Sequence, residues 1–300
     1  MTAGPSVVCV GGGHGLAATL RAVVPWAGAV TAVVSVADDG GSSGRLRHEL
    51  GVLPPGDLRR CLGALADPAS VLGRALEYRF PDGDLKEHAL GNLLIAGLVG
   101  EGSTIEEALD EVGRLVGARG RVLPAATVPV TLTGELDEGG HGDGGGHGPA
   151  SISGQVRVQG TAGLRRVGVR PADPPTPPTV AEALADADLV VLGPGSLFTS
   201  VLAAAVVPGV AAALRATPAQ RVLVVNLGPQ MGETEELGPD DHVRLAREHG
   251  VPVDVVLADP RFAPGAGPEV VVRPLGVEDR PVHDPVRLGE ALRDLARPRA

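Results

Sequence analysis

The stretch SVVCVGGGHGLAATLRAVV, residues 6–24, runs from a short apolar strand through a glycine-rich turn into a helical pattern. Ser6–Val10 is the strand, Gly11-Gly12-Gly13-His14-Gly15 the turn, and Leu16–Val24 the helix, closed by Pro25. Thr31–Ala37 is a second β-branched strand ending at Asp38-Asp39. Strand, helix, strand in this order predicts a βαβ unit whose parallel strands are buried on both faces. Glycines between a first strand and a first helix let backbone N–H groups approach an anion, and the helix N-terminus adds partial positive charge. The spacing falls short of the full dinucleotide fingerprint, because Ala18 is only loosely equivalent to its third glycine.

Working outward, Asp38-Asp39-Gly40-Gly41-Ser42-Ser43-Gly44-Arg45 follows the second strand, where acids meet a ribose hydroxyl or hold Mg²⁺ against phosphates. Gly193-Pro194-Gly195-Ser196 repeats the strand–turn–helix arrangement, with Ser196 expected to cap its helix and to reach a phosphate oxygen. A third strand end supplies Asn226, then Gln230, Glu233 and Thr234. Polar loops after parallel strands converge on the carboxyl edge of the sheet, the usual ligand crevice. Asp57, expected as a helix N-cap, Arg59, and His88 with Asn92 four residues on, add candidate acid, base and polar groups. The chain lacks Cys-x-x-Cys and His-Glu-x-x-His patterns, so a zinc enzyme has no support.

Between these parts, Ser103-Thr104-Ile105-Glu106 fits a capping box before a helix. Thr127–Thr133, Ser151–Val158 and Leu164–Val169 read as short strands of a meander. His141 and His147 lie in a Gly-rich stretch without rigid flanks, so a metal role is disfavoured. The predicted architecture is α/β: a Rossmann-like, doubly wound, mostly parallel sheet in three layers, with a helical and β-meander insertion.

Composition bounds the alternatives. The 300 residues are 43% apolar but only 2% aromatic, so the core must be Val, Leu and Ala. A net charge of −10 argues against a nucleic-acid partner, whose phosphates need basic groups. The apolar stretch Val201–Leu214 is broken by Pro208 and Gly209, which argues against membrane insertion. Cys9 and Cys61 make no disulfide framework, and the expected location is cytoplasmic.

The motifs together closely resemble the YvcK family of gluconeogenesis factors, within the CofD-like (2-phospho-L-lactate transferase-like) group. The residues carrying the resemblance are Gly11–Leu16, Val36–Arg47, Pro54–Arg59, His88–Leu94, Gly193–Ser200 and Gln230–Thr234, in family order. The resemblance implies one CofD-like domain over 1–300 with an insertion near 58–178 covering the ligand edge. It implies a nucleotide-sugar ligand of the UDP-N-acetylglucosamine type, and support of cell shape and envelope growth on gluconeogenic carbon. Its alternative is a Mg²⁺-dependent, CofD-like transferase of 2-phospholactate type, with Asp38, Asp39 and Asp57 catalytic and Asp38 and Asp39 on the metal. The expected ligand-binding set is Gly11, Gly12, Gly13, His14, Gly15, Ser42, Ser43, Arg45, Arg59, His88, Asn92, Gly193, Gly195, Ser196, Asn226, Gln230, Glu233 and Thr234. A nicotinamide oxidoreductase is the weakest reading, and a homodimer is left open. Two positions depart from the family pattern: His14 stands where many relatives carry Thr, and Val282 where an Arg often precedes His283-Asp284-Pro285.

Overall fold

The computed structural model describes residues 4–136, 151–265, 267–278 and 280–296. His141 and His147 lie outside the described residues. Seven parallel strands form the large sheet in the order β10-β9-β8-β7-β1-β2-β3. They are β1 (Ser6–Gly11), β2 (Ala29–Val34), β3 (Arg121–Pro124), β7 (Leu189–Leu192), β8 (Gln220–Val224), β9 (Val255–Ala258) and β10 (Val270–Val272). A smaller antiparallel sheet of β4 (Thr131–Leu136), β5 (Ser151–Ser153) and β6 (Leu164–Arg170) has the order β5-β4-β6.

The central strands read as continuous apolar runs because helices cover both of their faces. Every residue of β7 is buried, as are Val7–Val10 of β1. The chain winds outward from β1 through β2 to β3, then returns to β7 on the other side of β1 and winds outward again. The winding therefore reverses between β1 and β7, which pair from Val7↔Leu189 to Val10↔Leu192. A crevice opens outside the carboxyl ends of two strands that diverge in this way.

The helices are α1 (Gly13–Val23), α2 (Gly41–Leu50), α3 (Gly56–Leu65), α4 (Val71–Ala75), α5 (Leu90–Gly100) and α6 (Ile105–Val116). They continue with α7 (Gln155–Gln159), α8 (Pro178–Asp186), α9 (Leu197–Ala205), α10 (Pro208–Ala216), α11 (Pro239–Glu248) and α12 (Pro285–Leu295). The first six residues of α9 are π-helical. No single helix among the described residues is long and apolar enough to cross a membrane. The bent pair α9 and α10 is instead largely buried.

Four local expectations are corrected. The span 58–178 is not one continuous insertion, because β3 within it is the outer strand of the large sheet, paired from Thr31↔Arg121 to Val34↔Pro124. The capping box belongs to Thr104 and Glu107, one residue later than expected, each closing on the other's backbone N–H. Ser151–Val158 is a three-residue strand followed by α7, turned at Gly154, and the preceding strand begins at Thr131. Asp57 lies in the first turn of α3, with Pro55 at the N-cap, which frees its carboxylate for another element.

Candidate functional site

The glycine turn after β1 and the turn after β7 lie against each other. A Cβ on Gly15 would sit 2.1 Å from the Pro194 carbonyl oxygen, so only glycine permits this approach. Thr19 Oγ1 donates to the Gly193 carbonyl at 2.8 Å, and the Gly193 N–H donates to Val10 at 3.0 Å. Gly195 donates its N–H to Asn226 Oδ1 at 3.0 Å, which ties the β7 turn to the end of β8. Over these turns lies an open cleft of about 370 Å³. Gly12, Gly13, His14 and Gly15 line it from the first turn, Gly195, Ser196, Thr199 and Ser200 from the second, and Gln230 from the third. Asp38, Asp57, Arg60, Gln155 and Gln159 complete its walls. Gly11 and Gly193 stand behind it as the backbone hinges of their turns, at φ +154 and +77.

The protein's own carboxylates occupy two places expected for a ligand anion. Asp57 Oδ2 accepts the Gly13 N–H at 2.8 Å, at the N-terminus of α1, where helix polarity favours negative charge. A Cβ on Gly12 would lie 2.7 Å from that oxygen, so Gly12 makes room for a carboxylate rather than a phosphate. The other Asp57 oxygen accepts from Arg60 at 2.5 Å. With both oxygens engaged, Asp57 is placed as a structural anchor instead of a general acid or base.

Glu233 plays the equivalent part at α9. It is buried, accepts the N–H of Phe198 at 2.6 Å and of Thr199 at 3.1 Å, and takes the Thr199 hydroxyl at 2.8 Å. Burial raises its carboxyl above the usual range, opposed by these bonds and one from Ser196. Ser196 therefore sits at the N-cap without capping the helix itself. Thr234 Oγ1 accepts the Gln230 N–H at 3.1 Å and shapes the loop that delivers Glu233.

The aspartate pair separates. Both Asp39 oxygens are taken by the N–H groups of Gln155, at 2.9 Å, and Val156, at 3.0 Å, so Asp39 caps α7 and does not fit a Mg²⁺ site. Asp38 lines the cleft; its Oδ1 accepts the Gly40 N–H at 3.0 Å, and burial raises its pKa. Ser43 also bonds the Asp38 side chain and accepts the Gly56 N–H at 3.0 Å. Among the described residues no group of three His, Cys, Asp or Glu could hold a metal. Asp38 alone fits the single carboxylate with which Mg²⁺ and ligand phosphates are sometimes held.

Other expected ligand groups lie away from the cleft. Ser42 Oγ is 3.0 Å from His88 Nδ1 and accepts from Asn92 Nδ2 at 3.0 Å, and all three residues are buried. Arg45 donates to the Lys86 carbonyl at 2.7 Å. These contacts fasten α2 to α5 and to the segment before it, and so support the Asp38 turn from behind. Arg59 is 1% exposed and pairs with Glu77 at 2.9 Å, so its role is in the helical layer. Arg60, its neighbour, is the cleft arginine. Sequence reading missed it because one residue of rotation on α3 decides which arginine faces the sheet edge. Gln155 and Gln159 were also missed, since Gln155 lies within Ser151–Val158, which reads as a strand, and Gln159 directly follows it.

The cleft's basic groups are Arg60 and His14. Arg60 holds the His14 pKa below its ordinary value, and burial adds to the effect. Gln230, which lines the cleft, has its Oε1 buried without a hydrogen-bond partner, as is Nδ2 of Asn226, the residue that holds the β7 turn. An acceptor left open at the cleft suits a polar ligand, because unpaired buried polar atoms are costly.

A family model described as 2-phospho-L-lactate transferase CofD matches residues 7–266. The chain is 43% identical to the protein named "Putative gluconeogenesis factor" in Mycobacterium tuberculosis, over 95% of this chain and 89% of that protein. It is 38% identical to the "Gluconeogenesis factor" of Halalkalibacterium halodurans, over 81% of this chain and 73% of that protein. The crystal structure of a member of the UPF0052 family from Bacillus halodurans superposes with a TM-score of 0.87 at 32% identity, covering 96% of this chain and 98% of that one.

Proposed function

We propose, from the premise that the chain belongs to the CofD family and to its YvcK group of gluconeogenesis factors, that it binds a nucleotide sugar in the switch-point cleft. The observation carrying this reading is the composition of one cleft shared by the β1 and β7 turns. Amides and hydroxyls from Gln155, Gln159, Gln230, Ser196 and Ser200 suit sugar and ribose hydroxyls, while Arg60 and His14 suit a diphosphate. A ligand of the UDP-N-acetylglucosamine type has both parts. On this reading the protein works in the cytoplasm as a sensor or scaffold, supporting cell shape and envelope growth on gluconeogenic carbon.

A Mg²⁺-dependent transferase of CofD type is the second reading, favoured by the raised, cleft-lining Asp38. Mg²⁺ held there by Asp38 and ligand phosphates would neutralise charge on the transferred group. Calorimetric titration with UDP-N-acetylglucosamine, with and without Mg²⁺, separates the two. Saturable binding with the ligand unchanged by NMR is the expected result; Mg²⁺-dependent turnover of the ligand favours the transferase.

A further inference from the structure

We infer, resting on the reading of the cleft as a nucleotide-sugar site, that Arg60 and His14 jointly receive the ligand's diphosphate, that Asp57 aims Arg60, and that binding brings a proton onto His14.

Arg60 is set for this by its neighbours. Its side chain is 18% exposed, and one nitrogen is held by Asp57, whose other oxygen holds the Gly13 N–H. The guanidinium is thereby fixed relative to the glycine turn, with its remaining donors available to the cleft it lines. Planar guanidinium donors match phosphate oxygens in a two-point contact. Asp57 touches no reacting atom on this account; it is a positioning residue.

The proton follows from charge. Asp38 and Asp57 line the same cleft as Arg60, so with a neutral imidazole two carboxylates face one guanidinium. A diphosphate entering this field is repelled unless further positive charge is supplied. His14 is the titratable group in reach. The charged groups facing it are Arg60 and Asp57 from α3, Glu77 beyond α4, and Arg21 from its own helix. Arg60 and burial together disfavour its protonated form in the free protein. A phosphate placed between Arg60 and His14 cancels the repulsion and adds attraction, so proton affinity rises on binding. By linkage, affinity for the diphosphate must then increase as pH falls toward the histidine range.

The test uses calorimetry on the full chain at pH 6.5 without metal, in two buffers of different ionisation enthalpy. The probes are UDP-N-acetylglucosamine and inorganic pyrophosphate. The wild type is expected to take up a fraction of a proton per UDP-N-acetylglucosamine bound, a probe whose diphosphate does not itself titrate near this pH. Arg60→Gln should weaken both probes by about 10- to 100-fold, the loss expected of a charged hydrogen bond, and Arg60→Lys should recover part of it. His14→Gln should bind UDP-N-acetylglucosamine with no proton uptake and no dependence on pH in this range. In an Asp57→Asn background, which keeps an acceptor for Gly13, adding Arg60→Gln should cost less than about threefold, because the aim is already lost. Thermal melts confirm that each variant is folded.

Unchanged affinity in folded Arg60→Gln, or binding of UDP-N-acetylglucosamine without proton uptake by wild type, overturns the inference. Arg60-dependent binding of pyrophosphate without binding of the nucleotide sugar keeps the inference and removes the sugar-nucleotide reading. Binding of neither probe by wild type overturns both.

Discussion

The Asp57 carboxylate accepts the Gly13 N–H at 2.8 Å, so α3 supplies the anion at the N-terminus of α1. Removing it in Asp57→Ala leaves that amide without its partner, at a cost of about 1–3 kcal/mol. The same change opens a helix N-terminus to solution anions. Sulfate should therefore raise the melting temperature of Asp57→Ala more than that of wild type. Equal sulfate effects would show that the carboxylate does not occupy an anion position.

Glu233 accepts two backbone amides of α9, so Glu233→Ala should lose about 2–4 kcal/mol of unfolding free energy in urea. Glu233→Gln should stay within about 1 kcal/mol of wild type at pH 7, because its oxygen still accepts and its NH₂ can meet the hydroxyls. The carboxyl is raised above 4.5 by burial, so the folded state binds its proton more tightly than the unfolded chain. Its contribution to stability therefore rises as pH falls through the window above 4.5, and that component should vanish in Glu233→Gln.

His283 gives the opposite slope. It is buried and bonded to the Val225 backbone, and burial chiefly lowers its pKa from 6.5 to about 4. Between those values the unfolded chain binds more protons, so stability is lost as pH falls through this window, by about 3 kcal/mol at most. Denaturant midpoints measured from pH 7 to pH 4 should show this loss in wild type and much less of it in His283→Gln. Parallel profiles would remove His283 as the cause.

Gly15→Ala places a methyl 2.1 Å from the Pro194 carbonyl, a backbone atom that cannot swing aside. The β1 and β7 turns must then part, which should cost roughly 1–3 kcal/mol. Nucleotide-sugar affinity should fall with it, because both turns line one cleft. A stable, fully binding variant would mean that the turns need not touch.

The switch point was legible because strand–turn–helix order fixes which sheet edge each loop occupies; Gly11–Gly15, Gly193–Ser196 and Asn226 needed no finer detail. What escaped depends on single-residue rotation and on partners distant in sequence. Arg59 and Arg60 differ by one step of a helix, yet one pairs with Glu77 and the other with Asp57. Asp39 is separated from Gln155 by 116 residues, and Glu233 from Phe198 by 35, so nothing local marks either as a helix cap. The four-residue β3 was hidden inside the supposed insertion because its pattern is too short to distinguish an edge of the large sheet from a strand of the small one.

The most direct test of the central claim is hydrogen–deuterium exchange of the wild-type chain with and without saturating UDP-N-acetylglucosamine. Binding at the switch point predicts slowed exchange in residues 11–15, 193–200 and 226–234 together, with the outer strands β3 and β10 unchanged. Saturation without protection of these three segments, or protection confined to another face, would contradict it.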